Sequence, residues 1–83
     1  PNPSRGAIAI AFTLPTAARA VLEVYDVGGR RVRRLLDAAL PAGVQTVTWH
    51  GDDDRGRTVG AGVYFVRLSC ERAEATQRVL RLE

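Results

Sequence analysis

Apolar and polar residues alternate with a period of two along most of the chain. The first two runs, residues 7–14 and 19–26, each place apolar side chains at every second position. Their predicted inward residues are Ile8, Ile10, Phe12, Leu14, Ala20, Leu22 and Val24. A period of two that is rich in β-branched and aromatic residues is typical of strands with one buried face. These runs therefore predict two strands of a sheet.

Four further runs with strand character follow, and turn signals separate them. They cover residues 30–38, 44–51, 62–70 and 75–83. In the third run, Val32 and either Leu35 or Leu36 would face inward, and the arginines mostly outward. No sustained helical period occurs. Turn signals about every eight to twelve residues predict an all-β, antiparallel β-sandwich of six strands. The number would be seven if the first strand divides between both sheets. A small barrel would have the same sequence pattern.

The first six residues, PNPSRG, are rich in residues that interrupt secondary structure. This composition is typical of a linker, so we expect residues 1–6 to connect to an upstream domain and residues 7–83 to form one domain. A chain of 83 residues buries about 60–65 % of its unfolded surface, which leaves little room for a deep substrate cavity. Because the chain starts with proline, we expect a piece of a longer protein or a processed product.

All twelve basic residues are arginine, and the net charge is +3. This balance permits contact with nucleic acid, anionic lipid or lipopolysaccharide, but a genome rich in G and C, whose codons favour arginine over lysine, is the favoured explanation. Four arginines fall within residues 30–34. A nucleic-acid interface would interleave aromatic residues with them, and none occurs between Tyr25 and Trp49. We therefore expect a solvated strand face that resists edge aggregation, and no nucleic-acid partner.

Three consecutive carboxylates, Asp52, Asp53 and Asp54, form the most conspicuous candidate site. A calcium loop needs alternating oxygen ligands and a bidentate acid several residues later. Arginines follow here instead, and the next glutamate is Glu71. A polar turn is the favoured interpretation: Asp53 would cap backbone N–H groups while Gly56 adopts a positive φ. Weak calcium binding remains the minor alternative.

The other candidate catalytic residues lack partners in the sequence. His50 is the single histidine, and the two serines, Ser4 and Ser69, have no nucleophile motif around them. The single cysteine, Cys70, permits no internal disulfide, and together with one histidine it cannot form a four-ligand zinc site. Trp49 is interpreted as the main filler of a small core. We expect no enzyme activity, cofactor or metal.

Two motifs resemble known export-related families. The segment VYDVGGRRV is similar to an element of type IX secretion system C-terminal sorting domains, through Val24, Asp26, Gly29 and Val32. The segment at 41–68 resembles the FlgD-type immunoglobulin-like domain, named after the flagellar hook-capping protein. The matching positions are Pro41, Ala42, Gly43, Trp49, Gly51, Asp53, Gly56, Val59, Gly62, Val63 and Tyr64. His50 departs from the family pattern, where aspartate is usual.

These resemblances imply an immunoglobulin-like sandwich that acts as a non-catalytic, C-terminal sorting module of an exported bacterial protein. The implied partners are secretion machinery or neighbouring domains, with no membrane span, and the implied location is the outer-membrane surface or the extracellular space. Contact with an anionic surface stays open. The expected partner contacts are Arg30, Arg31, Arg78, Leu80 and Leu82. A structural module of a surface protein, filament or secreted enzyme is the alternative, and a carbohydrate-binding accessory would require exposed Tyr25 and Phe65.

Overall fold

Seven strands and no helix make up the described part of the chain. A computed structural model describes residues 4–71 and 73–82, with side chains from residue 6 onward. The strands are β1 (Ser4–Arg5), β2 (Ile8–Leu14), β3 (Ala18–Tyr25), β4 (Arg31–Leu40), β5 (Gly43–Trp49), β6 (Gly62–Cys70) and β7 (Ala73–Leu82). Within these ranges, no helix is long and apolar enough to cross a membrane. The all-β prediction is confirmed.

The strands form two sheets of unequal width. The larger sheet has the order β1-β7-β6-β3-β4, and β2 and β5 form the smaller one. All neighbours are antiparallel except β1 and β7, which run parallel. The seventh strand arises differently from the expectation that the first strand divides, because β2 is unbroken and β1 is formed by Ser4–Arg5. The chain passes between the sheets at Gly6, where φ is 75°. The linker assignment for residues 1–6 stays a prediction.

Trp49 lies at the centre of the core between the sheets. Its side chain is fully buried, and its ring contacts that of Tyr64 edge to face, with centroids 5.2 Å apart. The other buried members of this core are Ile8, Leu22, Val24, Val66 and Val79. Period-two alternation places Ile8 of β2 on the inward face of the smaller sheet, and it places the inward residues of β3, β6 and β7 on the facing side of the larger sheet. This is the physical reason that the sequence pattern succeeds here.

Two register shifts alter the pairing of β4 with β3. Leu22 pairs with Leu36 but Glu23 pairs with Arg34, so Leu35 is an extra residue in β4. A second shift between Val24 and Tyr25 makes Val32 extra as well. Such bulges place two residues of one strand opposite one residue of the other. Leu35 and Leu36 therefore both pack against the core, which resolves an alternative that simple alternation left open.

Candidate functional site

Two turns at the same end of the sandwich share a sequence motif and the same pattern of hydrogen bonds. Both read D-x-x-G-R-x-V, at residues 26–32 and 53–59. Asp26 Oδ1 accepts hydrogen bonds from two backbone N–H groups at 3.0 Å, and Asp53 Oδ1 accepts two at 2.9 Å. Gly29 and Gly56 adopt φ of 84° and 81°. The carboxylates hold each turn closed, so their oxygens act as structural acceptors.

Asp53 also shows the electrostatic effect of this arrangement. Hydrogen bonds from the backbone N–H groups of Arg57 and Arg55, together with the nearby guanidinium charges, outweigh desolvation and lower the pKa of Asp53 below its ordinary value. Hydrogen bonding to the charged form of a carboxylate favours that form. Asp53 is therefore ionised throughout the neutral range, as a cap requires.

The two flanking aspartates have different partners. Asp54 Oδ1 accepts a hydrogen bond from Arg34 N at 2.8 Å, and Asp54 N donates to Val32 O at 3.0 Å. The turn is thereby fastened to the edge of β4. The carbonyl oxygen of Asp52 accepts a hydrogen bond from Trp49 Nε1 at 2.8 Å. Among the described residues, no group of three or more histidine, cysteine, aspartate or glutamate side chains is placed to hold a metal ion.

A cleft of about 460 Å³ separates the two turns, and the predicted contact residues Arg30 and Arg31 line it. Its other charged lining residues include Arg55, Asp53 and Asp54. Positive and negative groups are thus mixed around the cleft. Since Asp53 bonds its own turn and Asp54 bonds β4, the cleft offers a polar recognition surface and no paired carboxylates for acid–base chemistry.

Arg81 is a buried residue that sequence reasoning missed. Only 7 % of it is exposed. Its Nε donates to Val59 O and its Nη1 donates to Gly6 O, each at 3.1 Å. The guanidinium lies directly against Gly51, which has φ of 73°. In the sequence, Gly51 stands out only as part of the W-x-G pattern. The structure supplies the reason for a glycine, because a side chain at this position would occupy the space of the guanidinium.

The outward face of the larger sheet carries a charged cluster around Glu23, which is 7 % exposed. Glu23 Oε2 lies 3.3 Å from Arg31 Nη1 and 3.1 Å from Arg34 Nη2, and Tyr25 donates its hydroxyl to Oε1 at 2.8 Å. Burial raises the pKa of Glu23, but the hydrogen bonds from Tyr25, Arg34 and Arg31 together lower it by a larger amount, so the net shift is downward. Burial and the Glu23 carboxylate raise the pKa of Tyr25.

Next to this cluster lies the outer patch, which we define as Tyr25, Phe65, Arg67, Arg78 and Leu80. Tyr25 pairs with Phe65 across β3 and β6, and Phe65 pairs with Arg78 of β7. Leu80 is 38 % exposed, while both aromatic residues are half-buried. The Arg67 guanidinium carbon stands 4.5 Å from the centroid of the Tyr25 ring. Because an arginine already covers Tyr25, this face does not present the open aromatic platform that sugar binding requires.

The remaining candidates lie apart from these features. Leu82 is half-buried at the end of β7. His50 is exposed directly after β5, and Cys70 is half-buried as the last residue of β6. No nucleophile–base pair is formed by His50 with either Cys70 or Ser69 in the contacts that the structure shows for residues 6–71 and 73–82. Four of the five predicted contacts thus fall in two places, Arg30 and Arg31 at the cleft and Arg78 and Leu80 on the outer patch, and Leu82 belongs to neither.

Comparisons with known proteins agree with this architecture. The family model described as the FlgD Ig-like domain matches residues 3–74. A solved structure, the crystal structure of dimeric latent PorU from Porphyromonas gingivalis, is similar over 99 % of this chain, with a TM-score of 0.80 and 19 % sequence identity. The similar region is 9 % of that PorU chain. None of the curated proteins compared with the chain matches it. Since the family model spans most of the sequence, the chain belongs to the FlgD Ig-like domain family.

Proposed function

We propose that this domain is a non-catalytic sorting module that directs an exported bacterial protein through the type IX secretion system. The observation that carries the proposal is the turn at residues 26–32. The motif V-x-D-x-x-G-x-x-V, which resembles an element of type IX sorting domains, forms a closed turn here, with Asp26 bonded to the N–H groups of Gly28 and Arg30. A turn that is rigid before binding loses little entropy on recognition. Membership of the FlgD Ig-like family supports the module's role as an accessory domain.

Recognition would use surface complementarity and no bond chemistry. The cleft presents Arg30 and Arg31, and the outer patch presents Leu80 beside Arg78 and the half-buried Phe65. Arginine next to a partly exposed aromatic residue is a composition that protein interfaces favour, and Leu80 adds exposed apolar surface beside it. The partners would be secretion machinery or neighbouring domains, and the location would be the outer-membrane surface or the extracellular space.

A structural module of a larger surface or secreted protein is the second candidate. It is favoured by the similarity to a region that makes up 9 % of the PorU chain, since that region is one part of a much longer polypeptide. In this role the outer patch would pack permanently against an adjoining domain. Transient and permanent packing would use the same residues, so the two functions differ in what happens to the attached protein.

An export assay separates these functions. Residues 1–83 would be fused to the C-terminus of a periplasm-targeted fluorescent protein, in a host with a type IX system and in a mutant without it. We expect the reporter at the surface or in the medium only in the competent host. Retention in the periplasm of both strains, with the domain folded and with the host's own sorting domain exported in the same fusion, would reject sorting.

Two matched substitutions locate the recognition surface in the same assay. Leu80→Ser removes an apolar side chain from the outer patch, where Leu80 is 38 % exposed. Val44→Ser removes one from β5 in the other sheet, where Val44 is 74 % exposed. Both exposed sites should tolerate serine. We expect Leu80→Ser to reduce export several-fold and Val44→Ser to leave it unchanged; equal export of both variants would rule out the outer patch.

A further inference from the structure

The smaller sheet has an open edge along β2. In the described residues, β2 pairs with β5 alone, through seven register partners from Ile8 to Leu14. In an antiparallel pair, the N–H and C=O groups of every second residue point away from the partner strand. Along the free side of β2 these groups form a row about 23 Å long, at the usual rise per residue of a strand. Such a row is a template for a further strand.

A groove runs beside this edge, between β2 and the inward face of the larger sheet. It consists of three adjoining cavities of about 260, 210 and 270 Å³ that follow β2 from Ile8 to Leu14. Its lining residues include Ile10, Phe12, Val66, Leu68, Ala75 and Gln77. Ile10 and Phe12 are only half-buried although they pack against the core. The groove arises because β7 and β1 extend the larger sheet beyond the width that β2 and β5 cover.

The edge of β2 carries none of the usual protection against strand addition. Its sequence, IAIAFTL, has no charge and no proline. The edge strand β4, in contrast, has two bulges and carries Arg31, Arg34 and Asp37, and its backbone N–H at Arg34 donates a hydrogen bond to Asp54. Natural edge strands commonly use charges, prolines and bulges in this way. An unprotected edge beside an apolar groove is therefore a site at which a strand can be added to this fold.

We propose that the β2 groove binds an extended peptide segment of a partner protein, which adds to β2 as the third strand of the smaller sheet. Alternate apolar side chains of the segment would enter the groove between Phe12 and Ala75, where the small alanine leaves space. Main-chain hydrogen bonds would provide affinity and the buried side chains selectivity. This site lies on the opposite side of the larger sheet from the outer patch, so it does not depend on the proposed sorting function.

Charge at the two ends of the groove defines the segment further. Glu71 lines the cavity at the Leu14 end and is exposed. The carboxylate of Glu74 accepts a hydrogen bond from Ser69 on the outward face of the larger sheet, so it does not contribute charge to the groove. The Ile8 end lies beside the crossover from β1, which Arg81 bonds at Gly6 O. A segment with a basic residue that reaches the Leu14 end is therefore favoured. Opposite charges across an interface fix register and orientation.

The width of the groove favours a single strand over a second copy of this domain. A second copy that paired its own β2 in the groove would bring its projecting β7 and β1 against those of the first copy. A lone extended segment carries no such sheet. The occupant is for this reason assigned as a peptide strand, and self-association is kept as an outcome of the test.

The test uses amide hydrogen exchange and titration calorimetry on the 83-residue chain. Two capped peptides of alternating valine and threonine serve as probes. The first has a lysine at one end, and the second has a glutamate in place of this lysine. We expect the lysine peptide to slow exchange of alternate amides within residues 8–14 and to bind more tightly than the glutamate peptide. Failure of both peptides to protect β2 in the folded domain would overturn the proposal.

Two alanine-to-arginine variants complete the experiment. Ala75→Arg places a positive charge in the groove, and Ala39→Arg places one on the opposite face of the larger sheet; both alanines are exposed. Because an unpaired charge resists burial in an apolar site and the arginine repels the lysine of the peptide, Ala75→Arg should weaken binding at least about tenfold and Ala39→Arg should not. Equal binding by the two variants would overturn the groove assignment. A concentration-dependent dimer that the peptide cannot dissociate would assign the edge to a second copy instead.

Discussion

Replacing Gly51 by alanine tests whether the buried Arg81 guanidinium holds the loop after β5 against β7. A Cβ at Gly51 would overlap Cζ and Nη1 of Arg81. The backbone also matters, because φ of 73° costs an L-residue about 1–2 kcal/mol. Moving the guanidinium breaks its hydrogen bonds to Val59 O and Gly6 O, and bonds from a charged donor contribute about 1.5–3 kcal/mol each. If one of these hydrogen bonds is lost, the total destabilisation is about 2.5–5 kcal/mol.

Gly56→Ala is the matched control for this effect. Gly56 has nearly the same backbone, with φ of 81°, but nothing lies within 4 Å of a Cβ built there. It should therefore lose only the backbone contribution of about 1–2 kcal/mol. The free energy of unfolding would be measured by urea denaturation, with the fluorescence of the single tryptophan as the probe and the slope compared among variants.

A double-mutant cycle with Arg81→Ala isolates the steric part. Once the guanidinium is absent, Gly51→Ala should cost no more than Gly56→Ala, which corresponds to a coupling energy of about 2 kcal/mol or more between Gly51 and Arg81. The reasoning is refuted if Gly51→Ala and Gly56→Ala are equally destabilising in the parent chain. It is also refuted if the extra cost of Gly51→Ala persists without Arg81.

Three other substitutions probe separate features. Glu23→Gln should lower the free energy of unfolding at neutral pH by about 1–3 kcal/mol, a range that is discounted because the arginine partners are partly exposed. Because the pKa of Glu23 is lowered in the folded state, its stabilisation exists above the unfolded pKa and disappears as pH falls through the folded pKa. The urea midpoint of the variant should therefore depend less on acid pH than that of the parent chain, and parallel pH profiles would contradict this. Glu71→Asn should raise the thermal midpoint, with a gain of about 0.5–1 kcal/mol, because Glu71 adopts φ of 55° where asparagine is favoured; an unchanged midpoint would contradict it. Trp49→Phe should lower the free energy of unfolding by about 2 kcal/mol, because the carbonyl of Asp52 loses its hydrogen-bond donor and the core loses one ring of the indole. Unfolding would be followed by circular dichroism, and a loss under about 0.5 kcal/mol would mean that neither contribution matters.

Local patterns were sufficient to predict most strands and the two turns. The inward faces of β2 and β3 follow from alternation, which depends only on neighbouring residues. The roles of Asp53 and Gly56 follow from the short-range chemistry of an aspartate–glycine turn. The internal repeat D-x-x-G-R-x-V was also readable, and a comparison of the chain with itself would have revealed it.

Features that depend on distant partners could not be predicted. β1 is two residues long and has no period to detect, and it exists because Ser4 and Arg5 pair with the end of β7. Arg81 is buried because two carbonyl oxygens, at Gly6 and Val59, converge on it from other parts of the chain. The groove beside β2 reflects the difference in width between the sheets, which no single segment encodes.

The parallel pairing of β1 with β7 has a mechanical consequence. Ser4 lies beside Arg81 and Arg5 beside Leu82, with both strands pointing the same way. Tension applied at the two ends of this domain therefore pulls β1 and β7 in opposite directions along their common axis. The hydrogen bonds between these strands are loaded together in shear, so they do not break one after another. A domain held this way resists a pull from its neighbours until the short β1 contact ruptures as a unit.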